Sequence, residues 1–216
     1  MGSSREVFKL NKSISRTGYL TRLSVLLALV IILTVLNIGN IPIGPIVATI
    51  YQIPVIVGAV LLGTGAGCIL GGAWGILCFY LAVTGQTTDI VALGIVQQNV
   101  LLYFVIAFVP RFMVGLISGL LSSAFKKINF FRKHNVIPFA ITGAVGALTN
   151  TVLYLGALYI FVKQLLAELY EIDISAVGGM VMGVATTNGL IEAALSCVVV
   201  AAICKALSHV DKGLKI

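Results

Sequence analysis

The chain has 216 residues, of which 59% are hydrophobic and 10% charged, and its mean hydropathy is +1.11. This composition excludes a soluble globular protein and predicts an integral membrane protein that has lipid as its solvent. The apolar runs are continuous and lack the alternation of an outer-membrane β-barrel. Because one crossing needs roughly 20 apolar residues, the length fits an all-α bundle of about six transmembrane helices in one membrane domain, residues 1–216.

The first predicted helix follows a polar and basic segment. Its positive charges are Arg5, Lys9, Lys12 and Arg16. The apolar stretch that follows, 23–38, lacks the small-residue cleavage signature of a secretory signal peptide, so we interpret it as an uncleaved first helix. We expect a cytoplasmic N-terminal segment at 1–21, a six-helix bundle at 22–207 and a cytoplasmic tail at 208–216.

Small and helix-breaking residues mark the next part of the chain. Ser24 and Ala28 form a small-residue pair one turn apart, near the cytoplasmic end of the first helix. Two prolines within 37–45 cannot continue a helix, which predicts a structured, rather apolar loop there. The second helix is predicted to run from about 46 to 62.

Glycines recur at every fourth position around the third predicted helix, 65–84. They are Gly63, Gly67, Gly71 and Gly75. On a helix this spacing makes a bare stripe, which lets a second backbone approach closely and gain packing contacts in lipid. Two interpretations stay open: the stripe seats a neighbouring helix of the same chain, or it docks another membrane subunit, with Gly67, Gly71 and Gly75 as the contact residues.

The middle of the chain allows two helix assignments. Residues 85–98 are predicted to form a loop, and the apolar run 100–109 leads directly into Pro110. Either the fourth helix begins at Pro110, which suits a first turn, or one long helix is kinked there. Both versions place Arg111 in the outer half of the membrane. The remaining predicted boundaries are 125 for the end of the fourth helix, 138–162 for the fifth and 174–207 for the sixth.

Lys and Arg residues lie on one side of this arrangement. They precede the first helix, follow the fourth and close the chain, whereas the opposite connections hold Asp89, Glu168, Glu171 and Asp173 with only Lys163. Because cytoplasmic loops collect Lys and Arg, both termini are predicted to be cytoplasmic. The net charge of +7 then reflects topology and contact with anionic lipid of the bilayer, and nucleic-acid binding is not expected.

Catalytic and metal chemistry has little support in the sequence. The four cysteines are scattered within apolar helices and form no C-x-x-C pair, and both histidines lie in polar segments. The chain has no Gly-rich phosphate loop followed by Lys-Ser or Lys-Thr. We therefore expect no enzyme, no metal site and no cofactor in this chain, so that any ATP is used by partner subunits.

Polar side chains inside the predicted helices are the candidate binding groups, because they are costly in lipid. Those toward the outer side can converge on one cavity, and we predict as substrate-binding residues Gln52, Gln97, Asn99, Arg111, Asn150, Tyr154 and Asn188. Each amide could instead form only an interhelical hydrogen bond. Glu192, one turn below Asn188 on the same helix face, is a rival partner for Arg111.

Four segments, taken in order, carry a resemblance to a known family: IPIGPIVATIYQIPVIVGAVLLGTGAG, PRFMVGLISGLL, GAVGALTNTVLYLG and TNGLIEAALS. Together with the spans, termini and length, they resemble the substrate-binding S components of energy-coupling factor (ECF) vitamin transporters over essentially the whole chain. The resemblance implies a multi-pass protein of a prokaryotic plasma membrane that captures a vitamin from outside and works with a transmembrane T component and two cytoplasmic ATPases. The family's small-residue contact with the T component would match Ser24 and Ala28.

The segments IPIGP and IYQIPVIVGAVLLG most resemble pantothenate-type S components. Their ligand offers one carboxylate, hydroxyls and an amide, which suits one cation and several neutral hydrogen-bonding groups. S components for folate, a pyridoxine-like compound or cobalamin have similar patterns and remain alternatives. A self-sufficient secondary transporter is a further alternative, although the chain shows no repeated halves. A small membrane-embedded enzyme would lack a nucleophile paired with a base.

Overall fold

A computed structural model describes residues 16–43, 46–128 and 136–210 of the chain. These residues form eight helices and a two-stranded antiparallel hairpin of β1 (Asn40–Ile43) and β2 (Ile46–Thr49). The helices are α1 (Arg16–Val35), α2 (Gln52–Leu62), α3 (Thr64–Val83), α4 (Ile90–Gln98), α5 (Val100–Phe125), α6 (Val136–Phe161), α7 (Lys163–Leu169) and α8 (Val177–Val210).

Within the described ranges, five helices are long and apolar enough to cross a membrane, namely α1, α3, α5, α6 and α8. Helix α2 has 11 residues, fewer than the roughly 17 to 25 that a full crossing uses. It lies in the middle of the bundle, where the side chains of Val55, Ile56 and Val60 are fully buried. The structure is therefore that of a helical integral membrane protein.

The start predicted for the second helix, at about 46, is wrong, because residues 46–49 form strand β2. The sequence IVAT is rich in β-branched side chains, which favour extended backbone over helix. From 46 to 53 the sequence has no charged residue, glycine or proline, so hydropathy alone could not show where the strand ends and the helix begins.

The ambiguity at Pro110 is resolved in favour of one long helix. Helix α5 is continuous and contains Pro110 in its interior. The predicted loop at 85–98 is partly wrong, because it includes α4, whose N-terminus is capped by Asp89. Oδ1 of Asp89 accepts hydrogen bonds from the backbone N–H groups of Val91 at 3.0 Å and Ala92 at 3.1 Å.

The glycine stripe of α3 packs against α5 of the same chain. A Cβ atom at Gly71 would meet the carbonyl oxygen of Arg111, and one at Gly67 would meet the carbonyl oxygen of Gly115. At Gly75 it would lie 2.8 Å from Cα of Phe108. The stripe is thus an internal helix contact, which also fixes α5 beside α3. The prediction of a docking face is wrong for Gly67, Gly71 and Gly75, because α5 already covers them.

Unlike the three glycines of α3, Ser24 and Ala28 are not covered by another helix that the structure describes. Both are exposed on α1, which is the least buried of the spanning-length helices in the described part of the chain. Large apolar side chains such as Val25, Leu29 and Ile32 are exposed on the same helix. This helix therefore presents an apolar surface to lipid or to another membrane protein.

The buried residues form two clusters. One surrounds α2 and includes Ile56, Leu70 and Trp74. The other joins α4 and α7 to the first turns of α5 and includes Tyr103. A cavity borders both clusters, because its lining includes Trp74 of the first and Tyr103 of the second.

Candidate functional site

A cavity of about 310 Å³ lies among α1, α3, α5, α6 and α8, with the end of the hairpin and the α3–α4 connection closing it. Its lining includes the charged side chains of Arg111 in α5 and Glu192 in α8, and that of Asp89, which is exposed in the α3–α4 connection. Charged groups inside a helical bundle are costly in lipid, and they usually mark a binding site or a transport pathway. The cavity is therefore the candidate functional site.

The guanidinium group of Arg111 lies close to two aromatic rings. Its Cζ atom is 4.7 Å from the ring centroid of Tyr154 and 5.4 Å from that of Trp74. Both distances are within the range of cation–π attraction, which favours a cation away from water. Nη1 also donates a hydrogen bond to the carbonyl oxygen of Ile106, at 3.1 Å. The chain thus holds a cation in one place at the cavity wall.

Pro110 explains why that carbonyl oxygen is available. In a regular helix the oxygen of Ile106 would accept from the backbone N–H of the residue four positions later, but Pro110 has no N–H. The Arg111 side chain supplies the missing donor. The proline in α5 and the position of the cation are therefore linked.

Several buried polar atoms around Arg111 have no hydrogen-bond partner among the residues that the structure describes. They are Nε of Arg111, Nε1 of Trp74 and Oδ1 of Asn150. The thiol of Cys78, a weak acceptor, lies beside Arg111 and Trp74. Since Arg111, Trp74 and Asn150 line the cavity, two unpaired strong donors, one of them charged, and an unpaired amide acceptor belong to side chains of its wall. This combination fits a ligand with a carboxylate and a neutral donor.

Tyr154 contacts both Arg111 and Asp89, which lies in the α3–α4 connection. Its hydroxyl donates to Oδ2 of Asp89 at 3.3 Å, while Oδ1 of Asp89 caps α4. The Asp89 carboxylate is thus used on both oxygens by the protein itself. These bonds link the Tyr154 hydroxyl to the first turn of α4.

Glu192 is held by the hairpin and not by Arg111. Its Oε1 atom accepts from the backbone N–H of Thr49 at 3.0 Å and from the Thr49 hydroxyl at 2.6 Å. Its Oε2 atom is 3.5 Å from the hydroxyl of Thr151. In the described ranges, Arg111 and Glu192 form no ion pair, so the predicted rival partnership is not made.

Comparison with known proteins identifies the family. A family model described as "ECF transporter, substrate-specific component" matches residues 18–204, which is most of the chain. The chain belongs to this family. As an S component of an ECF transporter, it is a transport protein and not an enzyme.

Two curated relatives are similar to this S component over most of their length. The "Pantothenate transporter PanT" of Leuconostoc mesenteroides subsp. mesenteroides is 28% identical over 198 residues, which cover 88% of this chain and 91% of the relative. The "Pantothenic acid transporter PanT" of Lactococcus lactis subsp. cremoris is 27% identical over 180 residues, which cover 81% and 83%. The resemblance to pantothenate-type S components is therefore confirmed.

The structure brings four of the seven predicted site residues of this S component to the cavity. These are Arg111, Asn150, Tyr154 and Asn188. Three others lie elsewhere: Gln52 begins α2 and is fully buried, and Gln97 is exposed near the end of α4. The side chain of Asn99 caps α5 by accepting from the N–H of Leu102 at 3.0 Å. For Gln52, Gln97 and Asn99 the predicted convergence on the cavity is thus wrong.

The predicted substrate-binding residues omit other residues that line the cavity, notably Thr49, Trp74, Asp89 and Thr151. The sequence predicts an apolar helix at Thr49 and a loop at Asp89, and a lone Trp in a membrane helix is an ordinary packing residue. The polar run from 149 to 151 was the available signal for Thr151. Among the described residues, no three His, Cys, Asp or Glu side chains are grouped to hold a metal ion.

Proposed function

We propose that this S component binds pantothenate on the outer side of a prokaryotic plasma membrane and delivers it together with a T component and two cytoplasmic ATPases. One observation carries the choice of ligand: a single cation, Arg111, lines the cavity, and its Nε atom is buried with no partner in the described part of the chain. A ligand carboxylate would complete that group. The printed names of both relatives support the same vitamin.

The proposed contacts follow from the hydrogen-bonding groups of the wall. The ligand carboxylate accepts from the guanidinium of Arg111 and from Nε1 of Trp74, since charge-assisted bonds are the strongest available here. Asn150 offers Oδ1 as an acceptor for the ligand amide N–H. Tyr154 and Asn188 line the same space and supply neutral contacts.

The size of the cavity favours pantothenate over the larger alternatives. At about 310 Å³ it is at the small end of the range of roughly 300 to 1,000 Å³ for ligand pockets. A corrinoid such as cobalamin is far too large for it, and folate is long and carries two carboxylates where the wall offers one cation. A pyridoxine-like compound would fit by size but has no carboxylate for Arg111.

The proposed orientation rests on the ends of the helices. The cavity is lined by Thr87, Thr88 and Asp89 from the α3–α4 connection, so it lies at the same end of the bundle as that connection. Lys126 and Lys127 follow α5 at its other end. By the positive-inside rule the lysine end is cytoplasmic, and the cavity then lies toward the outside. In this proposal α2 and the hairpin together form a sixth crossing. Because six is an even number, both termini are then on the same side, the cytoplasmic one.

The exposed apolar face of α1 is the proposed contact with the T component. Ser24 and Ala28 lie on this face and would let a partner helix approach closely. The ATPases supply the energy in this proposal, because the sequence has no phosphate-binding loop of its own.

Binding and uptake measurements test the proposal separately. The purified protein is titrated with pantothenate, pyridoxine, folate and cobalamin, and we expect tight binding of pantothenate alone. Vesicles with this chain alone should not accumulate pantothenate, whereas vesicles that also contain the T component and ATPases should do so with ATP. Accumulation by the chain alone would support a secondary transporter instead, and tight binding of another vitamin would overturn the choice of ligand.

A further inference from the structure

Glu192 is an enclosed carboxyl group with an incompletely used oxygen atom. Its side chain is 7% exposed and lines the cavity. Oε1 already accepts two hydrogen bonds from Thr49, one from its backbone N–H and one from its hydroxyl. The two oxygens of the carboxyl group are therefore in different situations, and Oε2 is the one with capacity left.

The hydrogen bond to Oε2 that the described part of the chain shows is a weak one, from the hydroxyl of Thr151. The hydroxyl of Thr151 is 3.5 Å away, at the limit of a hydrogen bond, and it also lies 3.3 Å from the carbonyl oxygen of Ala147. A hydroxyl has one hydrogen atom to share, whereas a carboxylate has about four acceptor positions. Because an under-paired carboxyl group inside a membrane bundle is costly, a further donor would stabilise it.

We propose that Oε2 of Glu192 accepts a hydrogen bond from a hydroxyl of the ligand, in the half remote from the carboxylate. Glu192 is then a specificity-determining residue that selects hydroxylated ligands and orients them. This inference rests on the proposed binding of pantothenate, which has its carboxylate at one end and two hydroxyls in the other half.

The two ends of the site are within reach of one small molecule. Arg111 lies over the ring of Tyr154, and Glu192 adjoins Thr151. Tyr154 and Thr151 are three residues apart on α6, which corresponds to about 4.5 Å along the helix axis, and both line the cavity. The wall thus has a cationic region and an acceptor region about one helical turn apart. The ligand is expected to bind with its carboxylate toward Arg111 and its hydroxyls toward Glu192.

A binding site that hydrogen-bonds a hydroxyl rejects analogues without it, because the acceptor is then left unpaired. The variant that isolates this effect is Glu192→Gln. An amide keeps an oxygen that can accept both bonds from Thr49, so the attachment of the hairpin is preserved. The amide nitrogen takes the place of Oε2 and cannot accept. Glu168→Gln, an exposed position on α7, makes the same chemical change away from the cavity and is the matched control.

The test compares two proteins and three ligands in thermodynamic cycles. Wild type and Glu192→Gln are titrated with pantothenate and with each analogue that lacks one hydroxyl, and binding is followed by the fluorescence of the single tryptophan, Trp74, in the cavity wall. Either change alone, the substitution or the loss of the paired hydroxyl, is expected to weaken binding about ten- to a hundredfold. The substitution and the loss of the paired hydroxyl together should weaken binding little more than either change alone. Wild type and Glu192→Gln should bind the analogue without the paired hydroxyl equally well, which would also show that the variant is folded.

The outcomes separate this inference from the function on which it rests. If wild type does not bind pantothenate, the proposed function fails and the inference fails with it. If wild type binds pantothenate but Glu192→Gln binds it equally well, or if the two losses multiply for both analogues, the inference alone is overturned. Glu168→Gln should behave as wild type throughout.

Discussion

Arg111 donates a hydrogen bond from Nη1 to the carbonyl oxygen of Ile106, at 3.1 Å, across the turn of α5 that contains Pro110. That oxygen has no regular helical donor, because proline lacks an N–H. Proline ordinarily weakens a helix, but here Pro110 leaves the carbonyl oxygen of Ile106 free to accept from the Arg111 side chain. The cation of the cavity is therefore positioned by its own helix as well as by the Trp74 and Tyr154 rings.

Replacing Pro110 tests this relationship. In Pro110→Ala the new backbone N–H competes for the oxygen of Ile106, so Arg111 should lose part of its anchor. Since one hydrogen bond contributes about 0.5–1.5 kcal/mol, we expect ligand affinity to fall about two- to tenfold, with thermal stability unchanged or raised. Tryptophan fluorescence titration and thermal unfolding measure the two effects. Val109→Ala, a neighbouring lipid-facing position, is the control, and equal affinity in both variants would show that the bond is unimportant.

Replacing Arg111 distinguishes ligand binding from a structural ion pair. Arg111→Gln should weaken ligand affinity about ten- to a hundredfold, because a charge-assisted hydrogen bond is worth about 1.5–3 kcal/mol. Glu192 keeps its bonds from Thr49, so the variant should stay folded and adding Glu192→Gln should not restore stability. Calorimetric titration and thermal unfolding of both single variants and the double variant are the measurements. Recovery of stability in the double variant would indicate a pair between the two residues.

Filling the glycine stripe should affect folding and ligand binding together. In Gly71→Leu the new side chain would meet the backbone of α5 at Arg111, so we expect destabilisation of about 1–3 kcal/mol or more and weaker ligand binding. Gly65→Leu is the matched control on the same helix, because a Cβ atom there meets nothing within 4 Å. A Gly71→Leu protein that binds ligand normally but no longer assembles with the T component would contradict the internal packing of α3 on α5.

How far the sequence could predict the fold depended on the length of each element. Long apolar runs identified α1, α3, α6 and α8, because hydropathy over about 20 residues is a strong signal. The hairpin was not predicted, since β2 has only four residues, three of them apolar, and lies close before α2. Pro110 is compatible with a helix start or a helix interior, and only packing against α3 decides between them.

The site was predictable where polar residues interrupt apolar helices, as at Arg111 and Asn150. It was not predictable where a polar residue serves local structure. Asn99 resembled a binding residue but caps α5, and Gln52 is enclosed by the bundle. Thr49 became part of the site through contact with Glu192, which is 143 residues away in the chain. Such long-range contacts leave no periodic pattern in one sequence.

The proposed topology predicts which connections are accessible from each side. In a background without the four native cysteines, Lys127→Cys should react with an impermeant thiol reagent only after the membrane is opened, and Glu171→Cys should react in intact cells. Each position serves as the control for the other. The opposite pattern of labelling would reverse the orientation and place the cavity toward the cytoplasm.

The contact between Arg111 and the ligand carboxylate can be tested by comparing the binding of pantothenate and of pantothenol, in which an alcohol replaces the carboxylate, to wild type and to Arg111→Gln. Calorimetric titration gives the four affinities. If the carboxylate meets Arg111, wild type should prefer pantothenate about ten- to a hundredfold, and Arg111→Gln should lose most of that preference. Equal binding of the two ligands by wild type, or a preference that survives in Arg111→Gln, would contradict the proposed role of this cavity.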